Sequence, residues 1–353
     1  MQLEQKERLE FLDMLRGIAA LAVMIEHMGE RLFPGFVYFI STYFQMGQFG
    51  VVLFFLSSGF IIPDSLERSK RLKFFWVKRF FRLYPLYWFN LGVAVMLYYF
   101  YIHPADMPSI STILANVTMV QKFLGKPDII GLYWTLSTEM LFYLICSILF
   151  FIGMFRRTVT IVFVFYILAL VASASPIVGI RIPGWGMFFN LFTMFIGTIM
   201  YRYYQKKISG KVFFVVFGFS FLLILAVCYN VFWEDNDPKY LGTHSFLPML
   251  SAWTIAYVLF FLNLSIKSIK SPKILLFLGM ISYSIYLMHA LIIEIIPKLD
   301  SELLTFIIWV GATLGVATLT YFAIERPFIS IGRKVLVKKA ITAPAGPHLV
   351  EKG

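Results

Sequence analysis

An all-α, polytopic membrane helix bundle, with about ten transmembrane helices and both termini cytoplasmic, is predicted by three features of this 353-residue chain. Hydrophobic residues make up 59% of it and charged residues only 14%, too little charge to wet the surface of a soluble domain. Apolar stretches of spanning length recur near 11–29, 43–63, 83–102, 133–153, 157–173, 185–201, 212–231, 247–264, 275–296 and 303–324. The connections between them alternate in charge. The N-terminal tail, 64–82, Arg156–Arg157, 202–211, 265–274 and the C-terminal tail hold 24 of the 31 Lys and Arg residues, and the intervening connections hold six: Arg31, Lys122, Lys126, Arg181, Lys239 and Lys298. The basic set marks the cytoplasmic side. The net charge of +12 is therefore a topology signal, and no nucleic-acid partner is called for. One integral-membrane domain is expected over 1–335, with 336–353 a disordered cytoplasmic tail.

The first span, FLDMLRGIAALAVMIEHMG, carries Asp13, Arg16, Glu26 and His27. It is expected to stay in the protein, since Arg16 breaks the apolar run and no small-residue cleavage site follows. Arg16 and His27, 11 residues apart, return to within about 20° of one helical face and sit about 16 Å apart along it. Asp13, about 60° from Arg16, can pair with it, whereas Glu26 points about 100° away from His27. A snorkelling arginine and a structural histidine would explain each singly; two ionisable groups on one bundle-facing stripe suggest a pathway or cavity. The helix runs outward, so Arg16 lies in the cytoplasmic half and His27 near the outer surface.

The second span ends in Phe55-Leu56-Ser57-Ser58-Gly59-Phe60, small residues that let a helix or a ligand approach closely, although helix packing alone would explain them; Ser58 is a ligand-binding candidate. The basic segment that follows ends in Arg79-Phe-Phe-Arg82, two guanidiniums at i and i+3 that can converge on one phosphate, although a loop lying on anionic lipid would carry the same charge. The 103–132 segment is the longest outer connection and polar enough to shape an acceptor site, or to be a passive connector. The fourth span opens Tyr133-Trp134-Thr135-Leu136-Ser137-Thr138-Glu139 from the outer side, which buries Glu139 about 9 Å in, at a depth similar to that of His27. Spans five to eight read as scaffold. The outer 232–246 loop gathers Glu234, Asp235, Asp237 and His244 without a recognised ligand spacing. Span nine carries Tyr283 and His289, and span ten is expected to stop at Glu325-Arg326-Pro327. Cys146 and Cys228 both lie in apolar runs, so no disulfide or metal site is expected.

These stretches together resemble the acyltransferase-3 family of membrane acyltransferases. Leu12 to Ala20 with His27 looks like its Arg-x10-His first helix. Phe54 to Phe60, the Arg79–Arg82 pair with Tyr84-Pro85, Trp134 to Glu139, Tyr283 to His289, and Glu325-Arg326-Pro327 follow in the family's order over about residues 8–330. The resemblance implies transfer of an acyl group, usually acetyl from acetyl-coenzyme A, to a hydroxyl of a cell-surface glycan or lipid-linked sugar by a stand-alone O-acetyltransferase. It also implies that Arg16 and His27 are essential and that Arg79 and Arg82 serve the donor. A bacterial inner membrane is the implied location. No hydrolase-like domain follows span ten in this sequence, so one polypeptide is expected to complete the transfer.

The chemistry suits the residues. An imidazole can take the acceptor hydroxyl's proton near neutral pH, cytoplasmic arginines can hold the coenzyme's phosphates, and Glu139 is expected to orient His27. Asp13, Tyr133, Trp134, Tyr283 and His289 are further candidates. Direct transfer and an acyl-histidine intermediate stay open, as does homo-oligomerisation. The competing reading is a proton-coupled or anion transporter using Arg16, Glu139 and His27.

Overall fold

The computed structural model describes residues 9–69, 71–101, 107–180, 182, 185–233, 245–266 and 271–341. Fourteen α-helices follow one another among them: α1 (Glu10–Leu32), α2 (Pro34–Thr42), α3 (Met46–Ser69), α4 (Leu72–Tyr101), α5 (Ile110–Val117), α6 (Tyr133–Phe151), α7 (Thr158–Ala174), α8 (Trp185–Tyr204), α9 (Gly210–Phe232), α10 (Phe246–Ser265), α11 (Lys273–Met280), α12 (Ser282–Ile295), α13 (Glu302–Thr320) and α14 (Arg326–Ile341). Each of the ten apolar stretches lies on one or two of these. On length and composition six helical segments can cross a membrane: α3, α4, α6, α9, α10 and the continuous run through α13 and α14. The bent pair α11–α12 makes a seventh if taken as one span. The protein is a polytopic helical membrane protein.

Helix α1 packs against α3, α11, α12 and α13. Its Glu26, buried beside the histidine, accepts the Gly47 N–H at 2.7 Å, so a carboxylate caps the positive end of α3. That accounts for a charge the sequence left without a role. The α3–α8 interface is made by Gly59 and Gly197: a Cβ at Gly59 would strike the Met194 carbonyl, and one at Gly197 the Leu56 carbonyl. With no hydrophobic drive between helices in lipid, such backbone-to-backbone approach holds them together. Gly59→Ala is expected to cost about 1–3 kcal/mol by overpacking against immovable backbone. A thermal melt in detergent checks this; an unshifted midpoint would contradict the packing.

The structure departs from the sequence expectation in four places. Most of 64–82 is helical: α3 runs to Ser69 and α4 begins at Leu72, so Arg68, Lys73, Lys78, Arg79 and Arg82 ride on the two helices, while Lys70 lies outside the described residues. The ninth stretch is broken, α11 and α12 meeting at 70°, which starts α12 inside the bundle. The tenth does not stop at Pro327. A π-helical turn over Tyr321–Glu325 leads into α14, where Pro327 sits in the first turn and needs no N–H partner. Helix α14 includes residues 336–341, which were expected in the tail; 342–353 lie outside the described residues, as do His103, Asp106 and the acidic 234–244 stretch.

The fourth difference moves a candidate residue. Residues 107–132 fold in against α4, whose side chains satisfy the connection's carbonyls. Tyr84 and Tyr87 hydroxyls donate to Thr118 and Asn116, and the Trp88 indole donates to Val117, at 2.7–3.0 Å. Buried Asn116 donates to the Thr112 and Pro127 carbonyls and accepts the Ile129 N–H. With its backbone groups met this way, the connection packs α5 and the turns after it against α4. Helix α6 therefore starts deep, its Tyr133 hydroxyl donating to Asn90 in mid-α4 at 2.6 Å.

Candidate active site

At one end of α1, His27 Nδ1 lies 3.0 Å from Glu30 Oε1. A carboxylate only accepts, so Nδ1 carries the hydrogen, and in the neutral ring Nε2 is the acceptor. The His27 ring stacks on that of His289, centroids 5.5 Å apart and planes 8° from parallel. His289 is fully buried, and its Nδ1 donates to the Ile285 carbonyl at 3.1 Å, which leaves its own Nε2 as a bare acceptor with no partner among the described residues. His27 itself is 36% exposed. One imidazole of the pair is accessible and held by a carboxylate; the other backs it.

At the other end of α1 a cavity of about 340 Å³ lies among α1, α3, α4, α6, α12 and α14. It brings together Arg16, Ser58, Arg79, Arg82, Glu139 and Tyr283, six residues singled out from sequence. Glu139 accepts from Ser58 Oγ at 2.6 Å and from Tyr143 Oη at 2.5 Å. Arg79 lies over the rings of Phe75 and Tyr143, at 5.5 and 5.6 Å, with its Nε buried and unpartnered. Tyr283 Oη donates to the Leu83 carbonyl. A wider vestibule of about 1260 Å³ shares Arg16, Arg82 and Arg333 with the cavity and adds Asp13, Arg326 and Glu325. Glu325 accepts from Ser284 through one oxygen, while its other oxygen is buried without a partner.

The charge balance of this region is uneven. Among the described residues, Arg16, Arg79, Arg82 and Arg333 make no ion pair with any carboxylate. Cations outnumber the carboxylates Asp13, Asp64, Glu139 and Glu325 in these walls, so the guanidiniums are offset only in part and an added anion is favoured. Four guanidiniums around two joined cavities suit a multiply charged phosphate ligand.

Two sequence expectations need correction here. Glu139 does not pair with His27. Its partner Ser58 lies 11 residues, or about 16 Å, down α3 from Gly47, the residue bonded beside His27. The inward fold of 107–132 lowers the start of α6 and takes Glu139 with it, and the carboxylate on His27 is Glu30. Tyr133 and Trp134 also leave the cavity: Tyr133 is spent on Asn90, and Trp134 faces a separate pocket. His27 and His289 do not line the cavity either. Tyr286 stands between, lining it with its ring 6.0 Å from that of His289 and its hydroxyl 2.7 Å from Thr135 Oγ1.

Sequence reasoning missed Glu30, Tyr143, Tyr286 and Arg333 as site residues. Glu30 had a signal, its i+3 spacing from His27. Arg333 was counted only as a topology charge. Among the described residues no three His, Cys, Asp or Glu side chains gather as a metal site.

Comparison with known proteins identifies the family. Residues 9–325 match the acyltransferase-3 family (Acyl_transf_3), described as an acyltransferase domain. The chain is 26% identical over 326 residues to a protein provisionally named acetyltransferase ORF330 from Acidianus two-tailed virus, covering 89% of this chain and 88% of that one. It is 24% identical over 380 residues to Nodulation protein 10 of Rhizobium leguminosarum bv. viciae, covering 94% and 96%. A Staphylococcus aureus (strain COL) protein provisionally named an O-acetyltransferase matches at 24% over 369 residues, 92% of this chain but 58% of the longer relative. With nine-tenths of its length inside the family match, the chain belongs to the acyltransferase-3 family of membrane acyltransferases.

Proposed function

We propose that this protein is an O-acetyltransferase of a bacterial inner membrane, moving an acetyl group from cytoplasmic acetyl-coenzyme A to a hydroxyl of a cell-surface glycan or lipid-linked sugar at the outer face. The observation that carries the reading lies along α1: Arg16, joined by Arg79 and Arg82 of α4 and Arg333 of α14, at one end and a carboxylate-held imidazole at the other. The reading includes ten spans, cytoplasmic termini and a single domain over 1–335. Family membership speaks against the transporter alternative.

The vestibule, with Arg16, Arg82 and Arg333, takes the donor's phosphates, and the narrower apolar cavity takes its arm. Ser58 and Tyr143 hold Glu139 in the cavity wall, where its charge keeps the neighbouring guanidiniums from repelling one another. Past Tyr286, His27 Nε2 takes the proton of the acceptor hydroxyl as that oxygen bonds to the acyl carbon. The carbon–sulfur bond breaks, and the departing sulfur takes the proton back from Nε2. Glu30 fixes the tautomer and steadies the imidazolium, and His289 fixes the ring plane.

Purified protein incubated with labelled acetyl-coenzyme A and candidate glycans, followed by mass analysis of the glycan, tests the activity. An added acetyl group supports it; solute flux with no acetylated product from any acceptor opposes it. Glu30→Gln is expected to lower kcat by about 10²-fold with donor KM unchanged. An unchanged kcat would remove Glu30 from the machinery.

A further inference from the structure

A second cavity, of about 520 Å³, lies at the histidine end of the bundle. Its position follows from Gln48 in its wall: the preceding Gly47 is bonded by Glu26, the neighbour of His27 in α1. It adjoins the donor cavity through one layer of side chains. Phe55 lines the donor cavity and meets Trp134 of this one edge to face, centroids 6.2 Å apart.

The lining chemistry is specific. Three tryptophans, Trp134, Trp185 and Trp253, contribute to the wall. Asn190 also lines it, 7% exposed, and its amide makes no hydrogen bond among the described residues. Trp253, 2% exposed and stacked on Phe189 at 4.0 Å, has an indole N–H without a partner. The hydroxyls of Ser137 and Thr138 donate to carbonyls of their own helix, so toward the cavity they can only accept. The single cation in the wall, Lys122, is committed to Asp128 at 3.5 Å and to the Trp134 ring at 5.6 Å.

A buried indole N–H left unpaired costs about 1–3 kcal/mol, and the Asn190 amide keeps accessible surface in the cavity wall with no hydrogen-bond partner among the described residues. A lipid tail would leave both unmet, and an anionic headgroup would find no spare cation. Aromatic faces, neutral donors and hydroxyl acceptors together match a neutral ring with an apolar face and a rim of hydroxyls. We propose that this cavity is a subsite for a neutral pyranose ring of the acceptor, separate from the ring that receives the acyl group. This rests on the glycan-acceptor reading above and narrows it: the preferred acceptors are oligosaccharides of neutral sugars.

The test is calorimetric binding of chitotetraose, cellotetraose and maltotetraose to the full chain in detergent, with dihexanoyl-phosphatidylglycerol as the lipid probe and acetyl-coenzyme A as a control for fold. Asn190→Leu keeps the volume and removes the amide; Trp253→Phe keeps the stack on Phe189 and removes the N–H. We expect at least one tetrasaccharide to bind the parent protein and to bind each variant 10-fold or more weakly, with acetyl-coenzyme A binding changed less than 2-fold. The proposal is overturned if no tetrasaccharide binds, if both variants bind sugar as the parent does, or if only the lipid binds and the variants weaken it. Sugar binding that the variants weaken, in a parent protein that transfers no acetyl group, keeps the site and retires the reaction assigned above.

Discussion

His27→Ala is expected to lower acetyl transfer by 10³-fold or more, while coenzyme A binding and the melting midpoint stay near those of the parent. A positioned general base contributes about 10²–10⁴-fold, and this one sits at the far end of α1 from the arginines that hold the donor. The side chain is partly exposed and fills no core, so its removal opens no large cavity. His289→Ala is a useful contrast. It removes the ring that backs His27 while leaving the Glu30 contact in place, and a smaller fall in kcat is expected. Mass analysis of the acceptor measures both, and near-parental turnover in His27→Ala would contradict the catalytic assignment.

The second large effect is on donor affinity. Arg16 and Arg82 are shared by the cavity and the vestibule, and neither makes a close ion pair among the described residues. Replacing either by Ala is expected to weaken coenzyme A binding by about 10- to 100-fold, the loss of a charge-assisted contact worth about 1.5–3 kcal/mol. The salt dependence of binding should flatten at the same time. Arg82→Lys is expected to recover only part of the affinity, because an ammonium lacks the two-pronged fork. Unchanged affinity in both alanine variants would place the phosphates elsewhere.

How much of this was legible in the sequence depends on the range of the interaction involved. The Arg16–His27 stripe is a property of one helix, and its spacing survives folding intact. Glu30 lies on that same helix and could have been found by the same counting. The depth of Glu139 could not, because it depends on Tyr84, Tyr87 and Trp88 of α4 drawing the 107–132 connection inward by hydrogen bonds between residues about 30 positions apart. The π-helical turn at Tyr321–Glu325 is likewise silent in composition, yet it carries the chain past Pro327 and brings Arg333 to the donor cavity. Charge counting saw Arg333 correctly as a cation and had no means of seeing that it converges with Arg16, more than 300 residues earlier. The ten apolar stretches were plain, and the break between α11 and α12 was hidden inside one of them.

The central claim is that donor and acceptor reach one reaction centre from opposite membrane faces, since the gathered arginines lie beside one end of α1 and the held imidazole at the other. Sealed vesicles of known orientation test it most directly, with acetyl-coenzyme A confined to the face that carries Arg82 and an impermeant glycan confined to the face that carries His27. The account predicts acetylated glycan in the acceptor compartment, in amounts that His27→Ala abolishes. Product that forms only when both substrates share a compartment would contradict it.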